Sequence, residues 1–280
     1  MKLGYSTWGM PKVPVDKALE QLAGLGFDGV ELTVIPGYTT ELDKLDGMER
    51  KRIRQLLEKH HMMLPAIAAH SSLLSDDLAT HTANVARLKG AVDLAVDLAQ
   101  EDIMPVVNTT PGDRAEEWDA VLDLLVERTR ELVEYAESRR ATIAMEPHVG
   151  SVINTPEKML QLLGLVGSPY LKVNFDISHF DIIGLDIEDT VAKLVPHTAH
   201  THVKDQRGHV PNFEFLIPGE GDFDYVSYLK AMRAHGYDGF ITIEISVMVQ
   251  RRPDYDPFAA AALSYKTLSH AFMEAGIARI

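Results

Sequence analysis

Four apolar stretches in the second half of the chain each carry, at or near their end, a side chain that can bind a cation or transfer a proton. The stretch at 171–175 leads into Asp176 and, three residues later, His179. An ionisable group at the end of a buried strand loses hydration that a ligand or counter-charge must replace. The pattern recurs at 144–146, 199–204 and 240–246, and the candidate groups are Glu146, Asp176, His202 and Glu244.

These four groups predict a centre for one divalent cation. Three carboxylates around one imidazole would repel one another if they met without a counter-charge. Their separations of 30, 26 and 42 residues each fit one strand-helix-strand unit, so all four can face one point. An oxygen-rich set with one nitrogen suits Mn²⁺ best, and it also accepts Mg²⁺, Co²⁺ or Zn²⁺. A lone acidic residue at a strand end is more often a helix N-cap, but four in succession favour the metal.

Lys204 and Trp8 are candidates for contact with a substrate. His200, His202 and Lys204 share one face of their strand, and Lys204 lies nearest its end. Its ammonium could polarise a substrate oxygen, and the alternative is a salt bridge to Asp205 or Glu244. At the end of the first strand, Trp8 could form a wall of a substrate site or pack in the core.

The arrangement of elements predicts an α/β fold, a single (β/α)8 barrel spanning residues 1–280. Apolar strand candidates alternate with helical patterns along the chain, and no Gly-rich phosphate turn follows the first strand, which disfavours an open doubly wound sheet. The strands are predicted at 2–7, 29–34, 63–69, 103–108, 142–146, 171–176, 199–204 and 240–246. The helices are predicted at 16–25, 47–60, 83–100, 114–140, 156–166, 187–195, 223–235 and 257–275.

Composition excludes several classes of partner and chemistry. The chain has 27 Lys and Arg against 41 Asp and Glu, a net charge of −14, which disfavours nucleic acid and anionic membranes. It has no cysteine, so thiolate catalysis and disulfides are absent. Without an apolar run of about 18 residues or a signal-peptide pattern, we expect a cytoplasmic protein.

Four motifs carry a family resemblance that covers essentially the whole chain. They are Glu-Pro-His at 146–148, Asp-Ile-Ser-His at 176–179, His-Val-Lys-Asp at 202–205 and Ile-Thr-Ile-Glu-Ile-Ser at 241–246. The sequence resembles the xylose isomerase-like TIM-barrel superfamily of sugar isomerases, epimerases and related enzymes, which also includes the endonuclease IV fold. The motif set is specific for the superfamily and leaves the substrate open.

The resemblance implies roles for individual residues. In the sugar epimerases, residues matching the four candidates hold one divalent ion, and those matching Glu146 and Glu244 act as acid and base on opposite faces of the sugar. The residue matching His179 contacts a substrate oxygen. These enzymes also have an arginine six residues after the ligand histidine; Gly208 occupies that position here, and Arg207 beside it is the candidate substrate contact.

The DNA-repair branch of the superfamily uses additional histidines for a metal cluster. His70 ends the third predicted strand and could be related to that set, but the fourth strand ends in Asn108 and the chain is acidic. The endonuclease activity is therefore not expected. His70 and Asn108 are instead candidate substrate contacts, with a capped loop histidine as the alternative for His70.

Three functions follow. The first is an isomerase or epimerase of a small polyhydroxy carbonyl compound, acting through a metal-stabilised enediolate. The second is a lyase with the same ion, which would dehydrate a keto-inositol or cleave an oxidised C-glycoside. The third is a non-catalytic barrel that binds a sugar. Analogy with the family adds the expectation of a homo-oligomer.

Overall fold

Eight parallel strands form a closed barrel, which confirms the predicted (β/α)8 fold. The computed structural model describes residues 1–101, 103–112 and 117–279. The barrel strands are β1 (Lys2–Ser6), β2 (Gly29–Thr33), β3 (Met63–Ala68), β4 (Val106–Thr109), β5 (Ile143–Met145), β6 (Leu171–Asp176), β7 (Thr198–Val203) and β10 (Phe240–Ile243). Their order around the barrel is β1-β10-β7-β6-β5-β4-β3-β2. All pairs are parallel, so the carboxyl ends of all eight strands share one rim.

Helices cover the outside of the barrel and bury their apolar faces against it. Within the described ranges, every helix is too short or too polar to cross a membrane. The helices are α1 (Val15–Leu25), α2 (Gly47–Lys59), α3 (Leu78–Asp97), α4 (Trp118–Ser138), α5 (Pro156–Val166), α6 (Ser178–Asp181), α7 (Ile187–Leu194), α8 (Tyr225–Ala234), α9 (Val247–Gln250) and α10 (Pro257–Glu274).

The sequence Gly-aromatic-Asp-Gly occurs twice, at 26–29 and 236–239, and in both places its first two residues follow a helix. Gly26 follows α1 with φ 100°, and Gly236 follows the last residues of α8 with φ 82°. The next residue in each case donates its backbone N–H into the preceding helix, Phe27 to Leu22 O at 3.1 Å. Left-handed backbone of this kind closes a helix and is least costly for glycine. The chain can therefore turn directly into β2 and β10.

Gly29, the first residue of β2, is expected to be intolerant of a side chain. A Cβ there would lie 2.5 Å from Cε1 of Phe240 and 2.9 Å from the carbonyl oxygen of Met63. We expect Gly29→Ala to lower the free energy of unfolding by about 1–3 kcal/mol, measured by urea denaturation. Gly24→Ala is the matched control: no described heavy atom lies within 4 Å, so it should be neutral or stabilising. Equal stability of the two variants would contradict this packing.

Between the predicted strand at 199–204 and the predicted helix at 223–235, the structure forms a β-hairpin that the sequence analysis does not predict. Strands β8 (Asp205–His209) and β9 (Asn212–Leu216) pair antiparallel above the barrel rim. Polar and apolar residues alternate along β9, which is typical of a half-buried strand. The predicted start of the fourth helix at 114 lies outside the described residues. The helix predicted from 223 begins at Tyr225, with Asp224 as its N-cap.

Candidate active site

Four neighbouring strands deliver the predicted ligands to one end of the barrel. Asp176 ends β6 and His202 lies near the end of β7. Glu146 directly follows β5 and donates its backbone N–H to Thr109 O at 2.9 Å. Glu244 directly follows β10 and donates its backbone N–H to Val203 O at 3.0 Å. Main-chain pairing thus fixes where each side chain leaves the barrel wall.

The four side chains meet and are buried. One ligand atom from each of Glu146, Asp176, His202 and Glu244 lies within 4.8 Å of the other three. His202 Nδ1 is 3.4 Å from Glu146 Oε1 and 3.7 Å from Glu244 Oε1. Burial disfavours charge on Glu146, but the positive charge of His202 and the nearby His70 and Lys204 hold its pKa well below the ordinary value. Glu146 is therefore held in the ionised form.

One oxygen of Asp176 is held in place while the other faces the cluster. Asp176 Oδ1 accepts the backbone N–H of Ser178 at 2.9 Å and the Ser178 hydroxyl at 2.5 Å. Oδ2 receives the Lys204 ammonium and lies 3.5 Å from His179 Nε2. Burial opposes ionisation, but Lys204 and then His179 lower the pKa of Asp176 to about 2. Asp176 is thus an oriented anion throughout the neutral pH range.

Lys204 lies between two of the candidate ligands. Its Nζ pairs with Asp176 Oδ2 and lies 2.6 Å from Glu244 Oε2. Burial disfavours the ammonium form, but Asp176 and Glu244 raise the pKa of Lys204. The predicted salt bridge to Glu244 is present, and Lys204 also lines the cavity described below. Its contact with a substrate oxygen stays a prediction. Asp205 instead accepts backbone N–H groups, including those of Gly219 and Gly221.

The donor set fits one divalent cation. Two ligands at about 2.1 Å from one ion lie about 3–4.2 Å apart, and the distances from His202 Nδ1 to Glu146 Oε1 and Glu244 Oε1, 3.4 and 3.7 Å, fall in this range. The carboxylates outnumber the Lys204 ammonium, so a dication would offset the excess negative charge. Three oxygen ligands and a single imidazole are compatible with Mn²⁺, Mg²⁺, Co²⁺ and Zn²⁺, so the residues do not identify the metal.

Sequence reasoning missed Glu31, which lies beneath the cluster. It is fully buried in β2, and its Oε1 and Oε2 are 3.0 and 2.9 Å from His202 Nε2. Burial disfavours the charged form of Glu31, but His202 holds the pKa of Glu31 well below its usual value. Burial likewise disfavours the charged form of His202, but Glu31 and Glu244 raise the pKa of His202. The available signal was an acidic residue inside the otherwise apolar strand at 29–34.

Three further histidines surround the cluster. His179 Nε2 is 3.8 Å from Glu146 Oε1, and His70 Nε2 is 3.7 Å from Glu146 Oε2. The His148 ring, to which the sequence analysis gave no role, lies 3.9 Å from that of His179 between centroids. Burial and then His148 lower the pKa of His179 well below its ordinary value. His179 is therefore a neutral hydrogen-bonding group at neutral pH.

A cavity of about 720 Å³ opens above the cluster at the barrel rim. Glu146, Glu244 and Lys204 form its polar floor, while Phe213 and Phe215 reach it from the hairpin. A volume of this size is in the range of small-molecule sites. The residues lining the cavity are Trp8, His70, Thr110, Glu146, His148, Val149, His179, Lys204, Phe213, Phe215, Glu244, Ser246, Val247, Met248 and Arg251.

Two predicted substrate contacts lie elsewhere. Arg207 is exposed on the hairpin, where its Nε pairs with Asp222 Oδ2 at 3.2 Å and its Nη1 with Glu214 Oε1 at 3.3 Å. These carboxylates hold the guanidinium outside the cavity, so its assignment as a substrate contact is corrected. Asn108 is fully buried in β4 and donates its side-chain N–H to Glu31. Its amide is thus used below the cavity and does not line it.

Residues 19–264 match the model of the xylose isomerase-like TIM barrel family. The barrel and its rim cluster define the class, an α/β barrel with a candidate metal centre. The chain belongs to the xylose isomerase-like TIM barrel family.

The chain is similar in sequence to an epimerase and a dehydratase, and similar in fold to a protein solved with zinc. Fructoselysine 3-epimerase of Shigella flexneri is 24% identical over 260 residues, covering 90% of this chain and 93% of the relative. Inosose dehydratase of Lactiplantibacillus plantarum is 23% identical over 310 residues, covering 97% and 93%. The crystal structure of the IOLI protein with a bound zinc atom superimposes with a TM-score of 0.77 at 18% identity, covering 98% of each chain.

Proposed function

We propose that this protein is a divalent-metal-dependent epimerase or isomerase of a small polyhydroxy carbonyl compound. The observation that carries the proposal is the convergence of Glu146, Asp176, His202 and Glu244 beside an open cavity, which Glu146 and Glu244 line. When bound, a divalent cation supplies positive charge that stabilises negative charge developing on a substrate oxygen beside an acidic C–H bond. The epimerase among the relatives supports the same class of chemistry.

The two glutamates supply the proton transfers in this proposal. Glu146 follows β5 and Glu244 follows β10, and β6 and β7 lie between them in the barrel order. The two carboxylates therefore approach a bound substrate from opposite sides of the Asp176–His202 pair. One of them, in its ionised form, removes a proton from carbon, and the other, which enters the step protonated, delivers its proton to the far face, which inverts the centre. His179 and Lys204 line the cavity and orient the substrate oxygens.

A dehydratase is the second candidate, because an inosose dehydratase matches nearly the whole chain. Removal of the same C–H proton can be followed by loss of a hydroxyl group from the next carbon, with water as the second product. The carboxylates and the oxygen-binding side chains would be shared between the two reactions. Only the fate of the carbanion-like species differs.

One experiment in D₂O tests the proposal and separates the two candidates. Metal-loaded protein is incubated with a panel of ketoses and keto-inositols, and the products are analysed by NMR and mass spectrometry. We expect deuterium at a carbon next to the carbonyl and an epimeric product without loss of mass. Loss of 18 Da would favour the dehydratase. Metal-bound protein that exchanges no C–H proton in any member of the panel would contradict both.

Lys204 provides a prediction with opposite effects on ion binding and turnover. Lys204→Met removes a cation that pairs with two candidate ligands, so we expect Mn²⁺ affinity to stay equal or rise. The loss of a charged hydrogen-bond donor in the cavity should lower kcat by about 10²-fold. Isothermal titration and steady-state kinetics measure the two quantities.

The matched control for Lys204 is Lys193→Met. Lys193 also pairs with two carboxylates, Glu157 and Asp189, but on the surface of the protein. We expect that variant to keep both Mn²⁺ affinity and kcat. An unchanged kcat in the Lys204→Met variant would show that Lys204 does not contribute to the rate-limiting step.

A further inference from the structure

The carboxylate of Glu31 contacts the side of His202 that faces away from the other candidate ligands. Both of its oxygens lie within 3.0 Å of His202 Nε2. The other ring nitrogen, Nδ1, faces Glu146 Oε1 at 3.4 Å and Glu244 Oε1 at 3.7 Å. Glu31 is fully buried below the cavity floor, so it acts on the site through His202 and not on a substrate.

The chemistry of this contact determines which nitrogen of His202 carries hydrogen. An ionised carboxylate only accepts hydrogen bonds, so the nitrogen at 2.9 Å from it must be protonated. When a divalent ion takes the place of the proton on Nδ1, the hydrogen that remains on Nε2 leaves the imidazole lone pair on Nδ1, the atom within the candidate cluster. Asn174 Nδ2 lies 3.1 Å from Nδ1, where it can donate to the same lone pair.

The groups around Glu31 hold it as an acceptor. The Ser6 hydroxyl donates to Oε1 at 2.5 Å, and the Asn108 side-chain N–H donates to Oε2. His200 Nε2 lies 3.3 Å from Oε2, a further close contact with a group that can carry hydrogen. A glutamine at this position would have one acceptor oxygen for all of these groups. The NH₂ group of that glutamine would then face a second hydrogen-bond donor, for example the Nε2–H of His202.

We propose that Glu31 is a positioning residue that holds His202 in the Nε2–H form, so that Nδ1 binds the divalent ion. This inference rests on the proposed function in one respect, the binding of a divalent ion by the His202 cluster, and does not depend on which sugar is the substrate. Groups that orient metal-binding histidines in this way commonly change metal affinity 10–100-fold when mutated.

The test compares Glu31→Gln with the wild-type protein and with Ser6→Ala. Ser6→Ala removes a hydrogen bond to the same carboxylate, and with it an acceptor for the Trp8 backbone N–H, but keeps both oxygens of Glu31 and the His202 ring. Co²⁺ is titrated and followed by its visible absorption. We expect Glu31→Gln to weaken Co²⁺ binding about 10–100-fold and Ser6→Ala to change it less than threefold. Equal weakening by both variants would indicate general damage to a buried network and overturn the role of Glu31.

A spectroscopic measurement separates tautomer control from a purely structural effect. Protein containing ¹⁵N-labelled histidine is loaded with Zn²⁺, and the two nitrogens of His202 are distinguished by NMR. We expect a hydrogen on Nε2 and zinc on Nδ1 in the wild type, and partial or complete loss of this pattern in Glu31→Gln. An unchanged His202 spectrum in Glu31→Gln would overturn the proposal.

The outcomes distinguish this inference from the proposed function. If the wild-type protein binds Co²⁺ and Glu31→Gln binds it equally well, only the role of Glu31 fails. If the wild-type protein binds no Co²⁺, both fail. If it binds Co²⁺ but exchanges no sugar proton, the proposed function fails. The role of Glu31 is then decided by the Co²⁺ titration of Glu31→Gln alone. If Glu31→Gln does not fold, Glu31→Asp is used, because its carboxylate is one methylene farther from His202. An unchanged Co²⁺ affinity of Glu31→Asp would also overturn the proposal.

Discussion

Replacing Glu244 by glutamine is expected to lower kcat by about 10²–10⁴-fold at saturating metal, the range observed for loss of a general acid or base. The amide keeps the size of the side chain but cannot accept a proton from carbon. Glu146→Gln should have an effect of similar size, because epimerisation needs proton transfer at both faces. The measurement is the rate of product formation, followed by NMR under conditions where metal occupancy has been verified.

Glu214→Gln is the matched control for these variants. Glu214 is an exposed glutamate on the hairpin, where it pairs with Arg207. The control should retain wild-type kcat. A Glu244→Gln variant that keeps more than one-third of the wild-type kcat would show that the glutamate at the end of β10 transfers no proton in the slow step. That result would favour the non-catalytic sugar-binding barrel or a different base.

Removing divalent ions with EDTA is expected to abolish turnover, with a fall of about 10³-fold or more. A divalent ion typically contributes several kcal/mol of charge stabilisation, and each 1.4 kcal/mol corresponds to about tenfold in rate. Chelation should also lower stability, because the ion binds only the folded arrangement of its ligands. At 100 times its Kd, the ion should add about 2.7 kcal/mol to the free energy of unfolding.

Asp176→Asn and Asp222→Asn test whether this stabilisation comes from the predicted centre. Asp176 is a fully buried member of the cluster, whereas Asp222 is an exposed carboxylate paired with Arg207. The first variant should lose most of the metal-induced increase in melting temperature, and the second should keep it. Full turnover in EDTA, with no metal found by elemental analysis, would contradict a metal-dependent mechanism.

The barrel could be predicted from the sequence because its signals are local. Apolar runs such as 171–175 alternate with helical periodicity, and each strand-helix unit needs only its own residues to reveal it. The convergence of Glu146, Asp176, His202 and Glu244 follows from topology, since the carboxyl ends of all parallel barrel strands face the same rim. Identifying strand ends within one or two residues was therefore enough to bring these four side chains together.

The hairpin over the rim shows where local reasoning failed. Phe213 and Phe215 alternate with polar residues along β9, but a run of five residues also fits a loop. Only the pairing of β9 with β8 distinguishes a strand there, and that pairing sets the side on which each residue lies. It directs Phe215 into the cavity and leaves Arg207 among surface carboxylates.

By itself, the sequence determined the closed parallel barrel, the rim that carries polar side chains, and the four residues suited to hold a cation. Tertiary structure alone decided the surroundings of these residues: Glu31 lies 171 residues from His202 along the chain yet contacts its ring, and Asn108 contacts Glu31 from another strand. The physical reason is that strand periodicity reports only the direction of a side chain. Its partner across the barrel depends on register and closure, which no local pattern encodes.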